Sequence, residues 1–177
     1  MKKQGNIYAL GRDGCLAEDS ANEGLKLWAD WVDINKERFI NVLNEGERIC
    51  GEWLALVHGT RYKLSHEPFV VFDLFSADNI SLTQENIAKK IKDSKFIMAK
   101  TLHKGIPCSV EKAIELLGSG FHGSIDHPEG MIWRLERENK TIFLAKYVFH
   151  DKKDGVYLPE ISKNKALWNW YPSENNI

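Results

Sequence analysis

Short apolar runs separated by turn residues dominate the chain, and helical spacing appears in only a few stretches. Ile7-Tyr8-Ala9-Leu10 and Cys15-Leu16-Ala17 flank Gly11-Arg12-Asp13-Gly14, an Asp-Gly turn between apolar runs that predicts a hairpin. Asp19 or Ser20 stands where a helix cap is expected. Leu25, Trp28 and Val32, with Leu27 and Trp31 beside them, then recur at helical spacing to about Phe39, and Gly46 closes the region. Two buried-looking strands follow, Arg48 to Ala55 and Phe69 to Phe75. Ser81-Leu82-Thr83-Gln84 starts a helix with Ile87 and Ile91 on one face, Phe96 to Ala99 is a short strand, and Ser109 caps a helix that runs to Leu117. The stretch from Gly118 to Gly123 is a loop. Gly130 to Glu136 and Thr141 to Val148 form a second hairpin around a turn near Glu138-Asn139-Lys140. From Phe149 onward the chain turns polar. Interspersed helices and strands with antiparallel hairpins predict an α+β fold.

At 177 residues the chain is the size of one domain with a short tail, expected over 1–160 and 161–177. Its 24 Lys+Arg against 25 Asp+Glu leave a net charge of −1, which excludes a generically polybasic nucleic-acid binder but not a local basic groove. No run approaches the ~20 apolar residues needed to span a bilayer, and no apolar stretch follows Met1-Lys2-Lys3 as a signal peptide requires, so no membrane partner is expected. Cys15, Cys50 and Cys108 lie far apart, without Cys-x-x-Cys spacing. A reduced, cytoplasmic setting is expected, with neither a disulfide framework nor a cysteine zinc site.

Several charged residues sit where strands should be most apolar. Glu52 lies between Cys50 and Trp53, Asp73 interrupts Phe69 to Phe75, and Lys146 lies inside Ile142 to Val148, with Glu129 at the mouth of the second hairpin. Each taken alone is the solvent face of a half-exposed strand. Taken together, two acids and a lysine in one cleft suit a site for phosphate and a hard cation, because burying such charges is costly without a partner or ligand. A second candidate is a metal site at His122, Asp126 and His127, set against the alternative of an ordinary glycine-rich loop. There is no Gly-x-x-x-x-Gly-Lys-[Ser/Thr] phosphate loop, no dinucleotide fingerprint and no His-x-x-x-His pair.

Four segments occur in a telling order: Gly51-Glu52-Trp53-Leu54, Phe69-Val70-Val71-Phe72-Asp73-Leu74, Glu129-Gly130-Met131-Ile132-Trp133-Arg134 and Phe143-Leu144-Ala145-Lys146-Tyr147-Val148. They resemble motifs III, IIIa, IV and V of the covalent nucleotidyltransferases, the polynucleotide ligases and mRNA capping enzymes, and most of all the ATP-dependent RNA ligases. The resemblance covers roughly residues 2 to 160. It implies a nucleotidyltransferase fold, the ATP-grasp-like catalytic core of DNA and RNA ligases, with two packed antiparallel sheets, flanking helices and an ATP cleft. It also implies a mechanism in which a lysine takes AMP from ATP, AMP passes to a 5′-phosphate end, and a 3′-hydroxyl displaces it. A nucleophilic lysine of that kind must be partly deprotonated, which neighbouring cations or burial bring about, and Mg2+ with a second lysine stabilises charge on the phosphate. By position, Glu52 corresponds to the acid that holds the ribose and Phe72 to the aromatic that stacks on adenine. Asp73 is its acidic neighbour, Glu129 the acid near the metal and Lys146 the lysine on the α-phosphate. Arg61, in His58-Gly59-Thr60-Arg61-Tyr62, matches a loop arginine that meets phosphate.

The first motif departs from the family's Lys-x-Asp-Gly. Its counterpart is Lys2-Lys3-Gln4-Gly5, with Lys2 as the nucleophile and Gln4 in the Asp position. The family places a strand and a helix ahead of this motif, so the 1–160 domain is expected to lack them. The plain alternative for Lys2-Lys3 is a solvated, disordered N-terminus. No Ser-Arg segment precedes the first helix, and Leu144 holds the first of two lysine positions in motif V. Three explanations stand side by side: a minimal ligase, a truncated form of a longer enzyme, or a degenerate relative that binds nucleotide or RNA without catalysis. Trp168, Trp170 and Tyr171, interleaved with Lys163 and Lys165, either stack on bases or pack back onto the domain. The stretch after motif V has no room for the accessory domain with which DNA ligases and capping enzymes clamp their substrate. That favours RNA-end joining or nick sealing over capping; the expected activity is ATP-dependent polynucleotide ligation, RNA before DNA, and no obligate protein partner is evident.

Overall fold

The computed structural model describes residues 1–172, so residues 173–177 of the expected tail lie outside the described residues. Two compact units emerge. The first comprises Met1–Glu52, Val71–Met98 and Glu136–Thr141, and the second Trp53–Val70, Ala99–Leu135 and the chain from Ile142 onward. The described strands pair into three sheets where two were expected: β1 (Lys2–Lys3) with β2 (Asn6–Ile7), β3 (Arg48–Trp53), β4 (Phe69–Phe75) and β5 (Ile97–Met98) in that order, and β6 (Gly130–Arg137) with β7 (Lys140–Val148). Mixed helices and strands agree with the expected α+β class.

In the first unit the chain opens as a strand rather than as a disordered end. β1 and β2 are antiparallel, Lys2 opposite Ile7 and Lys3 opposite Asn6, across a turn at Gln4 and Gly5. The predicted hairpin at 7–17 is reduced to a single bridge between Leu10 and Leu16, and Ala17 N–H donates to Ala9 O at 3.0 Å. The long helix predicted to Phe39 is two helices. α1 (Glu23–Ile34) is capped by Asn22, whose side chain accepts from Leu25 N, and α2 is Lys36–Val42. The cap is not Asp19 or Ser20; instead the Ser20 hydroxyl accepts from Asn22 N at 3.1 Å, setting up the capping residue. At Asn35, where the break falls, the backbone N–H and the side-chain amide both donate to Trp31 O, at 3.1 and 2.8 Å.

Trp31, Phe39 and Phe96 form the aromatic heart of this unit, with Trp28 stacked on Trp31 at 5.8 Å and Phe39 tilted on Phe96 at 4.7 Å. Arg38 lies over Phe96 at 4.6 Å while its Nε donates to Ser94 O. Ile87 and Ile91 of α3 (Gln84–Ile91) are buried, as their spacing predicts.

The second unit is built around Ala113 and Leu117 of α4 (Val110–Leu117) and Met131 of β6, with Leu102, Ile114, Phe121, Trp133, Tyr147 and Phe149 packed against them. Ser109 caps α4 as expected, accepting from Lys112 N. α5 (Pro159–Ser162) follows, and residues 167–170 beyond it are bound to residues 54–62. Trp168 bridges Leu56, Asn169 N–H donates to Ala55 O at 2.7 Å, and Trp170 meets Trp53 edge-on. Trp168 and Trp170 thus pack back onto the fold. All three cysteines are free, and no helix among the described residues is long and apolar enough to cross a membrane.

Candidate functional site

Within the first unit lie Lys2, Glu52, Phe72 and Asp73. Lys2 is held on both sides of its backbone: its N–H donates to Glu47 O at 2.9 Å and its carbonyl accepts from Gly46 N at 3.0 Å. Its ammonium donates to Ile40 O at 3.2 Å. The turn that follows places Gln4 and Gly5 in the left-handed region, with φ of 51° and 75°, where Gly5 is at ease and Gln4 is not. Glu45 steadies it by accepting from both amides, Gln4 N through Oε1 and Gly5 N through Oε2. Glu47 is buried, with Oε2 accepting from Asn44 N at 2.6 Å and from Lys90 Nζ at 2.9 Å. Residues 44–47 therefore form a seat for Lys2 that is itself anchored by a buried carboxylate.

On β4 the alternation of a strand separates two neighbouring site candidates. Phe72 is 41% exposed and Asp73 only 4%. Asp73 turns inward, where its Oδ1 accepts from Ser81 Oγ and from Leu74 N, both at 2.8 Å. The Cys50 thiol is pushed up, chiefly by burial, with Asp73 adding to it and Arg48 opposing. Phe72 faces outward, and Gln84 Nε2 donates to its carbonyl at 2.9 Å, pinning β4 at that point. Glu52, on β3, is exposed.

Within the second unit lie Arg61, Glu129 and Lys146. Lys146 Nζ and Glu129 Oε1 meet at 2.6 Å, each side chain 53% exposed. The hairpin makes this pairing: Phe149 N–H donates to Glu129 O at 3.0 Å, bringing the start of β6 beside the end of β7. Gly130 permits it, because a Cβ there would sit 1.9 Å from Tyr147 O. The Glu-Gly of the sequence motif thus has a steric reason within this hairpin.

Arg61 is engaged by a carboxylate. Its Nε and backbone N each donate to Asp126 Oδ2 at 2.9 Å, its second guanidinium nitrogen reaches Oδ1 at 2.6 Å, and Tyr157 OH donates to Oδ2 at 3.1 Å. Hydrogen bonding from Arg61 holds the Asp126 carboxyl far below the usual carboxylate range, and the bonded Asp126 raises Arg61 in turn.

This ion pair, with a second contact, removes the proposed metal site at His122, Asp126 and His127. His122 Nδ1 lies 2.9 Å from His66 Nε2, His127 stacks edge-on to Phe149, and among the described residues no group of three or more His, Cys, Asp or Glu is arranged to hold a metal ion. Glu129 offers a single half-exposed carboxylate beside Lys146, a donor of the kind that Mg2+ can take together with phosphates and water. A cleft of about 220 Å³ in the first unit, lined by Tyr8, Ala9, Leu16, Asp30 and Lys36, holds none of the predicted site residues.

The contacts of Glu45 and Asp126 have no signal in the sequence. Asn44-Glu45-Gly46-Glu47 carries a turn signal and nothing in it marks which carboxylate turns back onto residues 4 and 5. Asp126 drew attention only as a ligand, since its partner lies 65 residues away.

The RNA ligase family model matches residues 1–148 of the chain. Neither the curated proteins nor the solved structures contain a significant match.

Proposed function

Because this chain belongs to the RNA ligase family, we propose that it is an ATP-dependent RNA ligase that joins 5′-phosphate and 3′-hydroxyl ends through a lysyl-AMP intermediate, with Lys2 as the nucleophile. Family membership supports RNA ligation in general. The observation that carries the finer reading is the seating of Lys2: it lies in a paired strand, bonded on both sides to the 46–47 backbone, so its side chain has the fixed root that covalent catalysis needs.

Lys2 Nζ, released from Ile40 O after passing a proton to water, attacks the α-phosphorus of ATP. The new P–N bond forms as the bond to pyrophosphate breaks. A 5′-phosphate oxygen of RNA then displaces Lys2 and carries AMP away. The 3′-hydroxyl of the second end attacks that 5′-phosphorus, AMP leaves, and the phosphodiester is formed. Phe72 offers an exposed ring on which adenine stacks, and Glu52 accepts from the ribose hydroxyls. Asp73, bonded to Ser81 and Leu74 N, fixes the strand that presents Phe72.

Lys146 neutralises the α-phosphate; without nucleotide its charge is matched by Glu129. Glu129 is the side chain that would hold Mg2+, whose contribution is to neutralise the phosphate oxygens. Arg61 keeps the 61–62 loop in place through Asp126, and the exposed side of its guanidinium meets a phosphate of the nucleotide.

Incubation with α-labelled ATP and Mg2+, read on a denaturing gel and by intact mass, tests the proposal. The expected result is a covalent AMP adduct that Lys2→Ala abolishes. An adduct that survives Lys2→Ala but not Lys3→Ala moves the nucleophile by one residue. A folded protein that binds ATP and forms no adduct overturns catalysis and leaves a nucleotide- or RNA-binding relative. Joining of DNA ends in preference to RNA would overturn the substrate assignment.

A further inference from the structure

We propose that Glu45 is a positioning residue for Lys2: through the amides of Gln4 and Gly5 its carboxylate holds the turn that presents the Lys2 side chain, and so sets the rate at which the lysyl adenylate forms. The inference rests on the ligase reading above and adds to it a residue outside the motifs.

The hairpin that carries Lys2 is too small to hold itself. β1 and β2 have two residues each, and an isolated two-stranded hairpin is at best marginal in water. Its turn also contains a strained position, since Gln4 has φ of 51° without being glycine. A conformation of that kind persists only when its surroundings impose it. Successive turn amides pointing the same way form a concavity for an anion, and Glu45 fills it, with one oxygen for each amide. Gln4 is neutral, so the turn has no carboxylate of its own and takes one from the 44–47 loop. That loop is firmly rooted: neighbouring Glu47 is buried and bonded to Asn44 and Lys90, while Gly46 and Glu47 hydrogen-bond the Lys2 backbone directly. The Gly5 and Gln4 amides, and after them the charge of Lys2, hold the Glu45 carboxyl below its ordinary range, which keeps it an anion at neutral pH. Glu45 touches neither substrate nor the reacting nitrogen; it acts through the turn.

Two reactions separate this role from a general structural one. Self-adenylylation uses Lys2 as nucleophile, whereas joining of RNA that already carries a 5′-adenylyl group bypasses that attack. Glu45→Ala is expected to slow adduct formation by about 10- to 100-fold, the scale of a small misplacement of a reacting group, and to leave joining of pre-adenylylated RNA within about threefold of wild type. Glu45→Gln, which retains one acceptor oxygen, should fall between. Amide hydrogen exchange at Gln4 and Gly5, which does not depend on activity, should quicken in Glu45→Ala. A parallel fall in both reactions, or unchanged adduct formation and exchange, would overturn the positioning role while the ligase reading stands. A wild-type chain that takes up no label on Lys2 would overturn the ligase reading and this role with it.

Discussion

Lys146 and Glu129 form a 2.6 Å ion pair, yet both side chains are more than half exposed, so at the scale of single residues their role in stability is small. An exposed pair of this kind is worth about 0–1 kcal/mol, because water screens the charges and holding two long side chains costs entropy. The site reading asks far more of Lys146, since charge on a phosphoryl group must be matched in the transition state. Lys146→Met should therefore lower adduct formation by roughly 100-fold or more while shifting the denaturant-derived stability by less than about 1 kcal/mol. Comparing single-turnover adenylylation with urea melts of the same variant checks both halves. A matching loss in both would make Lys146 structural. Phe72 and Asp73 teach the same lesson from the other side: adjacent in sequence and in motif, they turn to opposite faces, one outward and one into a hydrogen-bonded interior position.

Two loops of the second unit are joined by short polar contacts. The segment 61–67 meets 121–126 through the Tyr62–Ser124 bridge, the bond from Lys63 N to Gly123 O, the Arg61–Asp126 fork and the imidazole pair His66–His122. That pair has a defined proton arrangement. Glu67 O lies 2.6 Å from His66 Nδ1 and so takes its proton, leaving His66 Nε2 to accept from His122 Nδ1. His122 Nε2 is then a buried nitrogen with no partner, and a proton added there finds no acceptor. Burial first, and His66 second, lower His122 from its ordinary 6.5. The folded form prefers the neutral ring, so the stabilising contribution is fully present above about pH 6.5 and is lost as pH falls toward the depressed folded-state value. Urea unfolding from pH 8 to 5 should show this decline. His122→Asn should remove it, since Asn tolerates the left-handed backbone, φ 59°, at that position. An unchanged pH dependence in the variant would place the linkage elsewhere.

Over the whole molecule, the side-chain hydrogen bonds most distant in sequence lie in the second unit. Asn169 donates through Nδ2 to Leu54 O at 2.8 Å and accepts through Oδ1 from Tyr62 N at 2.7 Å, across separations of 115 and 107 residues. Asn169, in the polar stretch after Phe149, is thus part of the second unit's structure. Asn169→Ala leaves both backbone groups without their partner and should cost about 2 kcal/mol by chemical denaturation. A loss within the range of an ordinary surface substitution, about 0.5 kcal/mol, would show the segment to be dispensable.

The sequence alone determined what depends on neighbours along the chain. Hairpin β6–β7, strand β4, the buried faces of α3 and α4, and the Ser109 cap follow from period and local hydrogen bonding, which a few residues specify. The ordered motifs around Glu52, Phe72, Glu129 and Lys146 were likewise legible, and with them the family that the model match to residues 1–148 supports. Tertiary structure decided the rest. It drew the N-terminal lysine into a strand instead of leaving it solvated, divided one long helix at Asn35, and gave Arg61 to Asp126. These outcomes hang on a few hydrogen bonds between segments far apart in the chain, or on a side chain bonding at a helix end. Neither leaves a periodic trace in the sequence, because the partner that settles the geometry is set by the fold and not by the adjoining residues.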